Sequence, residues 1–564
     1  MSGRLPYLAE GACIAVLASF LFAYGMDQRD LLRASEGRVA RAAQEMLDRG
    51  EWVLPYLNGE PRIKKPPLAS WAVMLWALAF EGGVVTERAA FAPSVLAGVL
   101  SVLLIYAWRA RLRSGDAQAD RSAGFLAALV LAGSLGFLGQ ARQADLDIWL
   151  ALFTVLAFWA WERYRLEGAS GALAVFYLAL ALGFLTKGHV ILVTVVPPLL
   201  IWRFMEARRG TPEPSAARPW RWHAIGIALF LLLVLGWGIP FLQRSGLTWE
   251  GFRKEGLDRF DAETSHQEAP YWYLANVPLW MAPWIAWLPF AIAWQLKKPA
   301  DALDPRRRLW WLWFGVNLVL WSCLTGKQRH YAIPWLVPLA LLIGDGVVGF
   351  LRAYAAGERR TDLNAGRGSA IGLGLLLAFG ALGLAGWAQH KLDAGAWVWI
   401  FAGIGAVSFL LGALKAARVT PDACRDGVCP RICWMAWWGG VLAVAALYTQ
   451  TFERADNAAQ TEAGFCLSVR AAVPPDAPLY DTGLGRPHLL FYLGRNVGSV
   501  ENEPEAVLKI LRSEPRAYLL LTAGLLEKLP PGAYVEAIPS EPRSERHRYG
   551  ACLIRGAPAA SPPE

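Results

Sequence analysis

Long apolar stretches recur along the chain, separated by segments that carry arginine and lysine residues. About thirteen of them approach the roughly 20 residues that a helix needs to cross a bilayer. Their centres lie near residues 17, 98, 131, 154, 178, 197, 232, 286, 317, 341, 378, 405 and 441. The pattern predicts an all-α, polytopic membrane domain over residues 1–450, whose first stretch is an anchor and not a cleaved signal.

Basic residues gather in every second connection between the predicted spans. These connections are Arg109–Arg113, Arg163–Arg165, Arg203–Arg218, Lys297–Arg308, Arg352–Arg360 and Lys415–Arg431. Because cytoplasmic loops carry an excess of lysine and arginine, the alternation predicts a cytoplasmic N-terminus and an external, periplasmic C-terminus. Three longer segments then lie outside: residues 26–88, 244–272 and 450–564.

The first external loop, residues 26–88, contains two predicted helices. Ala34–Arg49 has an apolar stripe at helical spacing and is followed by Gly50, which predicts a helix that ends there. Residues 68–82 are apolar but short, and counting them as a span would invert every later connection. We therefore expect them to form an interfacial helix that lies along the bilayer surface.

The tail, residues 451–564, differs in kind from the rest of the chain. Short strands are predicted at Leu479–Tyr480, His488–Leu493, Ala517–Thr522, Tyr534–Ile538 and Gly550–Arg555. Helices are predicted between some of them, at Glu503–Arg512 and Ala523–Leu529. This alternation predicts a small α/β domain on the external side.

The composition agrees with a membrane protein and excludes several other classes. Of 564 residues, 55% are hydrophobic and only 18% are charged, and the mean hydropathy is +0.32. These values disfavour a disordered chain, a coiled coil and an ordinary cytosolic enzyme. The net charge of +9 is explained by cytoplasmic loops that face anionic lipid, so we expect the membrane and no nucleic acid as a partner.

Six polar clusters interrupt the apolar pattern, and all six fall on the external side of the predicted topology. They are Ser35–Arg38, Asn58–Pro67, Ala141–Asp147, Leu185–Gly188, Asp258–Tyr273 and Gly326–Tyr331. Charged residues at membrane depth or at the ends of spans are costly, which makes them functional candidates. The candidates are Glu36, Arg38, Lys65, Asp147, Lys187, Arg259, His266, Lys327 and Tyr331.

The chemistry of these candidates fits group transfer from a phosphate-linked lipid. A carboxylate can take the proton of an acceptor hydroxyl, and arginine, lysine and tyrosine can hold a phosphate and stabilise its developing charge. Each candidate also has a purely structural interpretation. Glu36 can offset a helix dipole, Asp147 can cap a span, and the lysines can extend their ammonium groups to lipid headgroups.

The first external loop contains a series of short motifs: Ser35–Arg38, Gln44–Leu47, Gly50–Trp52, Pro55, Leu57–Gly59, Lys65–Leu68 and Trp71. With these residues in this order, the loop resembles that of the superfamily of aminoarabinose lipid A transferases and protein O-mannosyltransferases. Similar pieces follow in the same order: Ala141–Arg142 with Asp147, Leu185–Gly188, Arg259–Phe260 with His266, and Lys327 with Tyr331. The similarity extends over most of the chain to about residue 345.

The resemblance implies a GT-C glycosyltransferase that uses a polyprenyl-phosphate sugar and inverts the anomeric centre. The acceptor is then a lipid, glycan or protein hydroxyl at the outer face of the cell inner membrane. By motif position, Glu36 and Asp147 are expected at the reacting centre. Residues expected at the lipid phosphate and donor are Arg38, Lys65, Arg259 and Tyr331, joined by His266, Lys187 and Lys327.

The chain departs from the family pattern at two positions. Ser35 occupies a place where the family often has aspartate, so the base is left as either Glu36 or Asp147. Lys64 stands where the aminoarabinose transferases often carry an acid, which argues against aminoarabinose as the specific sugar and against a metal site there. No cofactor is assigned from the sequence, and participation of a divalent metal ion is left open.

Three other classes of protein compete with a glycosyltransferase. A transporter or lipid flippase predicts broken, paired spans, charges near the bilayer midplane and repeat symmetry, whereas here the charges lie at span ends. A scaffold or sensor leaves the converging carboxylates and cations unexplained. An enzyme that transfers a phosphate-bearing headgroup usually needs a nucleophile and metal ligands, and the sequence contains no such set.

Overall fold

The computed structural model describes residues 4–111, 117–210, 219–247, 267–289, 291–292, 304–324, 326–356, 360–418, 428–460, 463–482, 487–538 and 551–556. The chain divides into two compact units. The bundle unit comprises Met1–Met26, Ile63–Ala69 and Phe91–Phe452, and the sheet unit comprises Asp27–Arg62, Ser70–Ala90 and Glu453–Glu564. Much of the first external loop is thus grouped with the tail and not with the predicted spans.

Helices make up nearly all of the regular structure as far as residue 472. In chain order they are α1 (Arg4–Ala23), α2 (Ala34–Arg49), α3 (Leu68–Phe80), α4 (Glu87–Ala110), α5 (Ala117–Gly133), α6 (Leu135–Ala141), α7 (Asp147–Glu167), α8 (Ala172–Lys187), α9 (Val190–Arg208), α10 (Pro219–Ser245), α11 (Trp272–Trp280), α12 (Pro305–Cys323), α13 (Ile333–Ala355), α14 (Arg360–Lys391), α15 (Val398–Ala417), α16 (Val428–Tyr448), α17 (Arg454–Gln460) and α18 (Ala463–Ala472). The chain is therefore mostly helical, as predicted.

Seven helical segments within the described residues are long and apolar enough to cross a membrane. An eighth is reached if α5 and α6, which are bent by 67° at their junction, are counted as one span. The least buried span, Trp220–Ser245, exposes a set of large apolar side chains: Leu231, Leu232, Leu235, Ile239 and Leu242. Such a surface is stable in hydrocarbon and not in water, so the protein is a multi-pass membrane protein.

The bundle is built from neighbouring helices that pack in pairs. α7 packs on α8, α8 on α10, α5 on α13, and α12 on both α9 and α13. Further along the chain α14, α15 and α16 pack in sequence. Because α7 and α8 are joined by a turn of a few residues at Gly168, the end of α8 returns to the start of α7.

The sheet unit contains a short hairpin and a larger mixed sheet. The hairpin pairs β1 (Tyr56–Leu57) with β2 (Glu60–Pro61). The remaining elements are β3 (Leu479–Asp481), α19 (Pro487–Leu493), β4 (Gly498–Ser499), α20 (Pro504–Ser513), β5 (Tyr518–Thr522), α21 (Ala523–Leu526), β6 (Tyr534–Ile538) and β7 (Ala551–Gly556). The strand order is β4-β3-β5-β7-β6, with β3 parallel to β4 and β5, and β7 antiparallel to β5 and β6.

The core of this sheet forms between α20 and β5. Val507 and Leu511 of α20 pack with Leu519 and Leu521 of β5 and with Ile554 of β7. Positions 519 and 521 share one face of the strand because side chains alternate along it. The apolar residues of α20 are four apart and lie on one helical face, which explains why this helix covers the sheet.

One predicted strand is wrong: His488–Leu493 belongs to helix α19. Pro487 occupies the first turn, where its missing N–H costs nothing, and Leu489, Tyr492 and Leu493 are buried at helical spacing. The Tyr492 hydroxyl accepts a hydrogen bond from the Leu31 backbone N–H at 2.8 Å. The aromatic and leucine residues that suggested a strand are thus buried on one face of a helix.

The predicted helix Ala34–Arg49 is confirmed as α2. Gly50 ends it with φ 63°, and its backbone N–H caps the last turn by bonding to Leu47. Near the start of α2, a Cβ placed on Gly37 would lie 2.4 Å from backbone atoms of His488. The glycine of the Ser35–Arg38 motif therefore allows α2 to pack directly against α19.

Candidate active site

A buried ion pair joins the ends of α7 and α8 in the bundle unit. Lys187 Nζ donates to Asp147 Oδ1 at 2.5 Å, and the two side chains are only 6% and 2% exposed. Asp147 is the first residue of α7 and Lys187 is the last residue of α8, before Gly188 ends the helix with φ 65°. Each charge also has the sign that its helix end favours, since helix dipoles are positive at the N-terminus and negative at the C-terminus.

Two residues from the short segment before α13 complete this cluster. His330 Nε2 lies 3.8 Å from the second oxygen of Asp147, and the Tyr331 ring lies 4.4 Å from Lys187 Nζ as a cation–π partner. The rings of His330 and Tyr331 are themselves perpendicular, with centroids 4.7 Å apart. One carboxylate, one ammonium, one imidazole and one phenol thus lie at adjacent helix ends.

Lys65 belongs to the same electrostatic environment. The charges of Lys65 and Asp145 both act on the His330 imidazole, together with those of Asp147 and Lys187. Lys65 is half-buried and is followed by Pro66 and Pro67, which restrict its backbone to extended conformations. One of the predicted phosphate-binding cations is thus within electrostatic range of His330.

Lys327 is buried near the cluster, but its ammonium donates hydrogen bonds to backbone carbonyls. Its Nζ donates to Leu324 O at 2.6 Å and to Glu268 O at 2.9 Å. The next residue, Gln328, exchanges hydrogen bonds with the Tyr273 hydroxyl through its backbone. Lys327 therefore fixes the segment that carries His330 and Tyr331.

Glu36 and Arg38 lie in the sheet unit, on the first turn of α2. The Glu36 side chain is fully buried and accepts hydrogen bonds from Arg29 Nη2 at 2.8 Å and from the Arg33 backbone N–H at 3.1 Å. The second bond is that of a capping box, so Glu36 also stabilises the start of its helix. Arg38 is exposed. Arg259 and His266 lie outside the described residues.

Sequence reasoning did not select His330 as a site residue, although it lies inside the polar cluster Gly326–Tyr331. The signal that could have identified it is its position immediately before Tyr331, at the entrance to a span. Its contact with Asp147 joins residues 183 positions apart, which no local pattern shows. The pairing of Asp147 with Lys187 was equally invisible, since the two were placed in separate clusters.

A second network of ion pairs joins helices of the bundle at a distance from this cluster. Three consecutive arginines at the start of α12 each pair with a different helix: Arg306 with Glu162 of α7 at 3.1 Å, Arg307 with Asp345 of α13 at 2.6 Å, and Arg308 with Glu206 of α9 at 2.6 Å. Arg109 of α4 adds pairs to Asp345 and to Asp120 of α5. Glu162 is 15 residues along α7 from Asp147, which is about 22 Å at the rise of a helix.

Comparison with known proteins gives agreement at the levels of family, sequence and fold. Residues 64–237, which include Lys65, Asp147 and Lys187, match the family model described as dolichyl-phosphate-mannose-protein mannosyltransferase. An undecaprenyl phosphate-alpha-4-amino-4-deoxy-L-arabinose arabinosyl transferase of Aeromonas hydrophila is 29% identical over 73% of this chain and 74% of its own. The chain is a glycosyltransferase.

Two solved structures share the fold of this glycosyltransferase. The crystal structure of ArnT from Cupriavidus metallidurans bound to undecaprenyl phosphate aligns with a TM-score of 0.72 at 18% identity, over 99% of both chains. The archaeal oligosaccharyltransferase AglB from Archaeoglobus fulgidus, in complex with an inhibitory peptide and a dolichol-phosphate, aligns with a TM-score of 0.52 at 12% identity, over 92% of this chain and 70% of its own. At these identities the likeness concerns the fold.

Proposed function

We propose that this glycosyltransferase moves a sugar from a polyprenyl-phosphate donor to a hydroxyl of a lipid, glycan or protein acceptor. The observation that carries the proposal is the buried cluster of Asp147, Lys187, His330 and Tyr331 at the ends of apolar helices. The names of the similar proteins support the donor class, because they specify undecaprenyl phosphate or dolichol phosphate. Asp147 is proposed as the base at the reacting centre.

The proposed step forms one bond and breaks one bond. The acceptor oxygen attacks the anomeric carbon, the bond from that carbon to the phosphate oxygen breaks, and the configuration inverts. The acceptor proton moves to the Asp147 carboxylate, and polyprenyl phosphate leaves with the electron pair of the broken bond. A cation near the leaving oxygen lowers the barrier because it stabilises the charge that develops there.

Lys187 is proposed to change partners when the donor binds. Its ammonium neutralises Asp147 in the present structure, and the Tyr331 ring holds it by a cation–π contact on another side. A donor phosphate that takes up part of the lysine charge leaves the carboxylate available to accept a proton. Lys65 is proposed as a second phosphate contact, with Arg38, Arg259, His266 and Lys327 as further donor-site candidates.

The proposed orientation puts this cluster at the outer face of the cytoplasmic membrane. The basic connections support a cytoplasmic N-terminus, about thirteen spans and an external α/β domain over residues 451–564. The ionic network of Arg306–Arg308 then lies at the cytoplasmic end of the bundle. Buried pairs joining α4, α5, α7, α9, α12 and α13 hold that end together, which favours transfer at one face over transport through the bundle.

Release of polyprenyl phosphate tests the proposed class of reaction. Purified protein in nanodiscs is offered undecaprenyl-phosphate sugars that differ in the sugar, with a mixture of phosphorylated and unphosphorylated glycolipids as acceptors. Undecaprenyl-diphosphate sugars and nucleotide sugars serve as donor controls. We expect free undecaprenyl phosphate together with a glycosylated acceptor. Exclusive use of nucleotide sugars, or movement of labelled lipid across the membrane without any glycosyl transfer, would contradict the proposal.

A further inference from the structure

A group of basic residues lies at the end of α7 opposite to Asp147. This basic cluster consists of Arg165 in the last turn of α7, Arg203 in the second half of α9 and His223 near the start of α10. Arg165 is 18 residues along α7 from Asp147, which is about 27 Å at the rise of a helix. The proposed transfer reaction gives none of these three residues a role.

His223 is placed by the close packing of α10 on α8. A Cβ at Gly226 would lie 2.0 Å from the Tyr177 ring, so glycine at this position allows the approach. His223 is three residues before Gly226 and therefore shares its helical face. Its Nδ1 lies 3.0 Å from the Tyr177 hydroxyl, and the Tyr164 ring of α7 is perpendicular to the imidazole with centroids 5.6 Å apart. Side chains from two other helices thus hold the imidazole in place.

The three basic groups of the cluster lie within electrostatic range of one another. The guanidinium groups of Arg165 and Arg203 both act on the His223 imidazole, and the Arg203 charge acts on Arg165. Arg165 and His223 are half-buried, which strengthens the repulsion between like charges because less water screens them. A negatively charged group bound among them would therefore stabilise the folded protein.

The carboxylates nearest in sequence to the cluster bind arginines outside it. These ion pairs are Glu162–Arg306 at 3.1 Å, Glu206–Arg308 at 2.6 Å and Glu167–Arg163 at 3.0 Å. Each of the three acidic side chains on the neighbouring turns of α7 and α9 is thus already neutralised. A bound anion from outside the protein would give the basic cluster a counter-charge of its own.

The surface beside the cluster is suited to lipid. α10 belongs to the least buried span, and Trp220, Ile225 and Ile227 near its start are exposed. Basic groups next to exposed apolar side chains at the end of a span match a phospholipid, whose phosphate lies at the interface and whose chains lie in hydrocarbon. A soluble anion would meet the same charges but would gain nothing from the apolar side chains.

We propose that Arg165, Arg203 and His223 bind the phosphate of one anionic glycerophospholipid. The two guanidinium groups donate N–H groups to the phosphate oxygens. The Tyr177 hydroxyl donates to Nδ1 of His223, so the proton of the neutral imidazole is on Nε2 and is donated to the phosphate. The acyl chains lie along the exposed apolar residues of α10. In the proposed orientation this is the cytoplasmic leaflet, whose anionic lipids attract basic segments.

The test is binding of phosphatidylglycerol to the full-length protein in detergent, with bound lipids counted by native mass spectrometry. Phosphatidylcholine tests the need for negative charge, and glycerol 3-phosphate and inorganic phosphate test the need for acyl chains. Arg203→Gln is the main variant because Arg203 is exposed, and Tyr177→Phe removes the hydroxyl that orients His223. Arg208→Gln, an exposed change five positions further along α9, is the matched control that removes the same charge.

We expect one phosphatidylglycerol molecule to bind more tightly than further copies and to raise the unfolding temperature. Arg203→Gln should weaken this first binding step by about tenfold, as for a lost hydrogen bond between charged groups, and Tyr177→Phe should weaken it less. Arg208→Gln should match the unaltered protein. Without added lipid, Arg203→Gln should unfold at the same or a higher temperature, because it removes a repulsive charge.

Four results would overturn the proposal. Equal weakening by Arg203→Gln and Arg208→Gln would show a general attraction between lipid and a basic surface. Equal binding of phosphatidylcholine would show that negative charge is not recognised, and displacement of the lipid by an equal concentration of glycerol 3-phosphate or inorganic phosphate would show a site for a soluble anion. A lower unfolding temperature of lipid-free Arg203→Gln would show that Arg203 stabilises the fold by contacts within the protein. None of these measurements requires turnover, so they are independent of the proposed reaction.

Discussion

Asp147 and Lys187 form a buried ion pair at 2.5 Å although 40 positions separate them in the chain. The hairpin of α7 and α8 brings them together, because the two helices run in opposite directions and Lys187 returns to the level of Asp147. Removing one member of a buried pair leaves an uncompensated charge, which commonly costs about 3–5 kcal/mol. The pair is therefore both a structural element and the centre of the proposed chemistry.

Lys187→Met should lower stability and donor turnover together. The uncompensated Asp147 carboxylate destabilises the folded state, and the leaving phosphate loses a cation. The double variant Asp147→Asn/Lys187→Met should recover much of the stability but no turnover. Thermal unfolding in detergent and release of undecaprenyl phosphate are the two measurements. Recovery of turnover in the double variant would show that the pair has only a structural role.

Tyr331→Phe and Tyr331→Leu separate the hydroxyl of this residue from its ring. Tyr331→Phe retains the cation–π contact with Lys187, so it should raise the donor KM by about tenfold through loss of one hydrogen bond to phosphate, and leave stability unchanged. Tyr331→Leu also removes the ring and should lower kcat as well. Donor saturation curves distinguish the two effects. Equal kinetics for Tyr331→Phe and the unaltered enzyme would exclude the hydroxyl from the donor site.

Arg308→Met should destabilise the bundle without changing the donor KM. Arg308 binds both oxygens of Glu206 at 2.6 Å, and this buried pair joins α12 to α9. The cost should be about 3–5 kcal/mol, since the glutamate is left buried and unpaired. Arg208→Gln, an exposed change on the same helix as Glu206, is the control and should be nearly neutral. A normal unfolding temperature for Arg308→Met would contradict the structural role of the network.

Gly37→Ala should disrupt packing within the sheet unit. The added methyl would lie 2.4 Å from backbone atoms of His488, which no side-chain movement relieves. Gly464→Ala is a matched control, because that helical glycine has open space around its Cβ position and alanine favours a helix. Limited proteolysis should cleave Gly37→Ala faster and Gly464→Ala no faster than the unaltered protein. Equal cleavage of the two variants would show that α2 and α19 adapt without cost.

The sequence predicted the elements whose signals are local. Hydropathy identified the helical, multi-pass class, and the stripe before Gly50 located α2 because a glycine cap and a 3.6-residue period are both local features. The pattern failed at His488–Leu493, which is a helix whose tertiary contacts, such as the hydrogen bond from Leu31 to Tyr492, have no local sequence signal. It also treated Arg306–Arg308 only as a basic loop, because their three acidic partners lie on distant helices.

The candidate site was predicted by residue type but not by grouping. Asp147, Lys187, Lys65 and Tyr331 were selected individually as costly polar residues at span ends. Their mutual contacts depend on helix pairing, which the sequence does not encode locally. His330 was passed over for the same reason, since only its distance to Asp147 marks it. Glu36 was selected in the same way as a costly charged residue. Part of its burial is structural, because its carboxylate forms the capping box at the start of α2.

The rate of undecaprenyl phosphate release by Asp147→Asn tests whether Asp147 is the catalytic base. Glu36→Gln tests the other carboxylate that the sequence left as a base. Both variants are compared with the unaltered enzyme at saturating donor and acceptor, after donor binding and unfolding temperature have been measured. We predict that Asp147→Asn binds donor but loses turnover by about a hundredfold or more, as expected for loss of a catalytic base. Turnover retained by Asp147→Asn and lost in folded, donor-binding Glu36→Gln would show that the base is Glu36 on α2 and not Asp147.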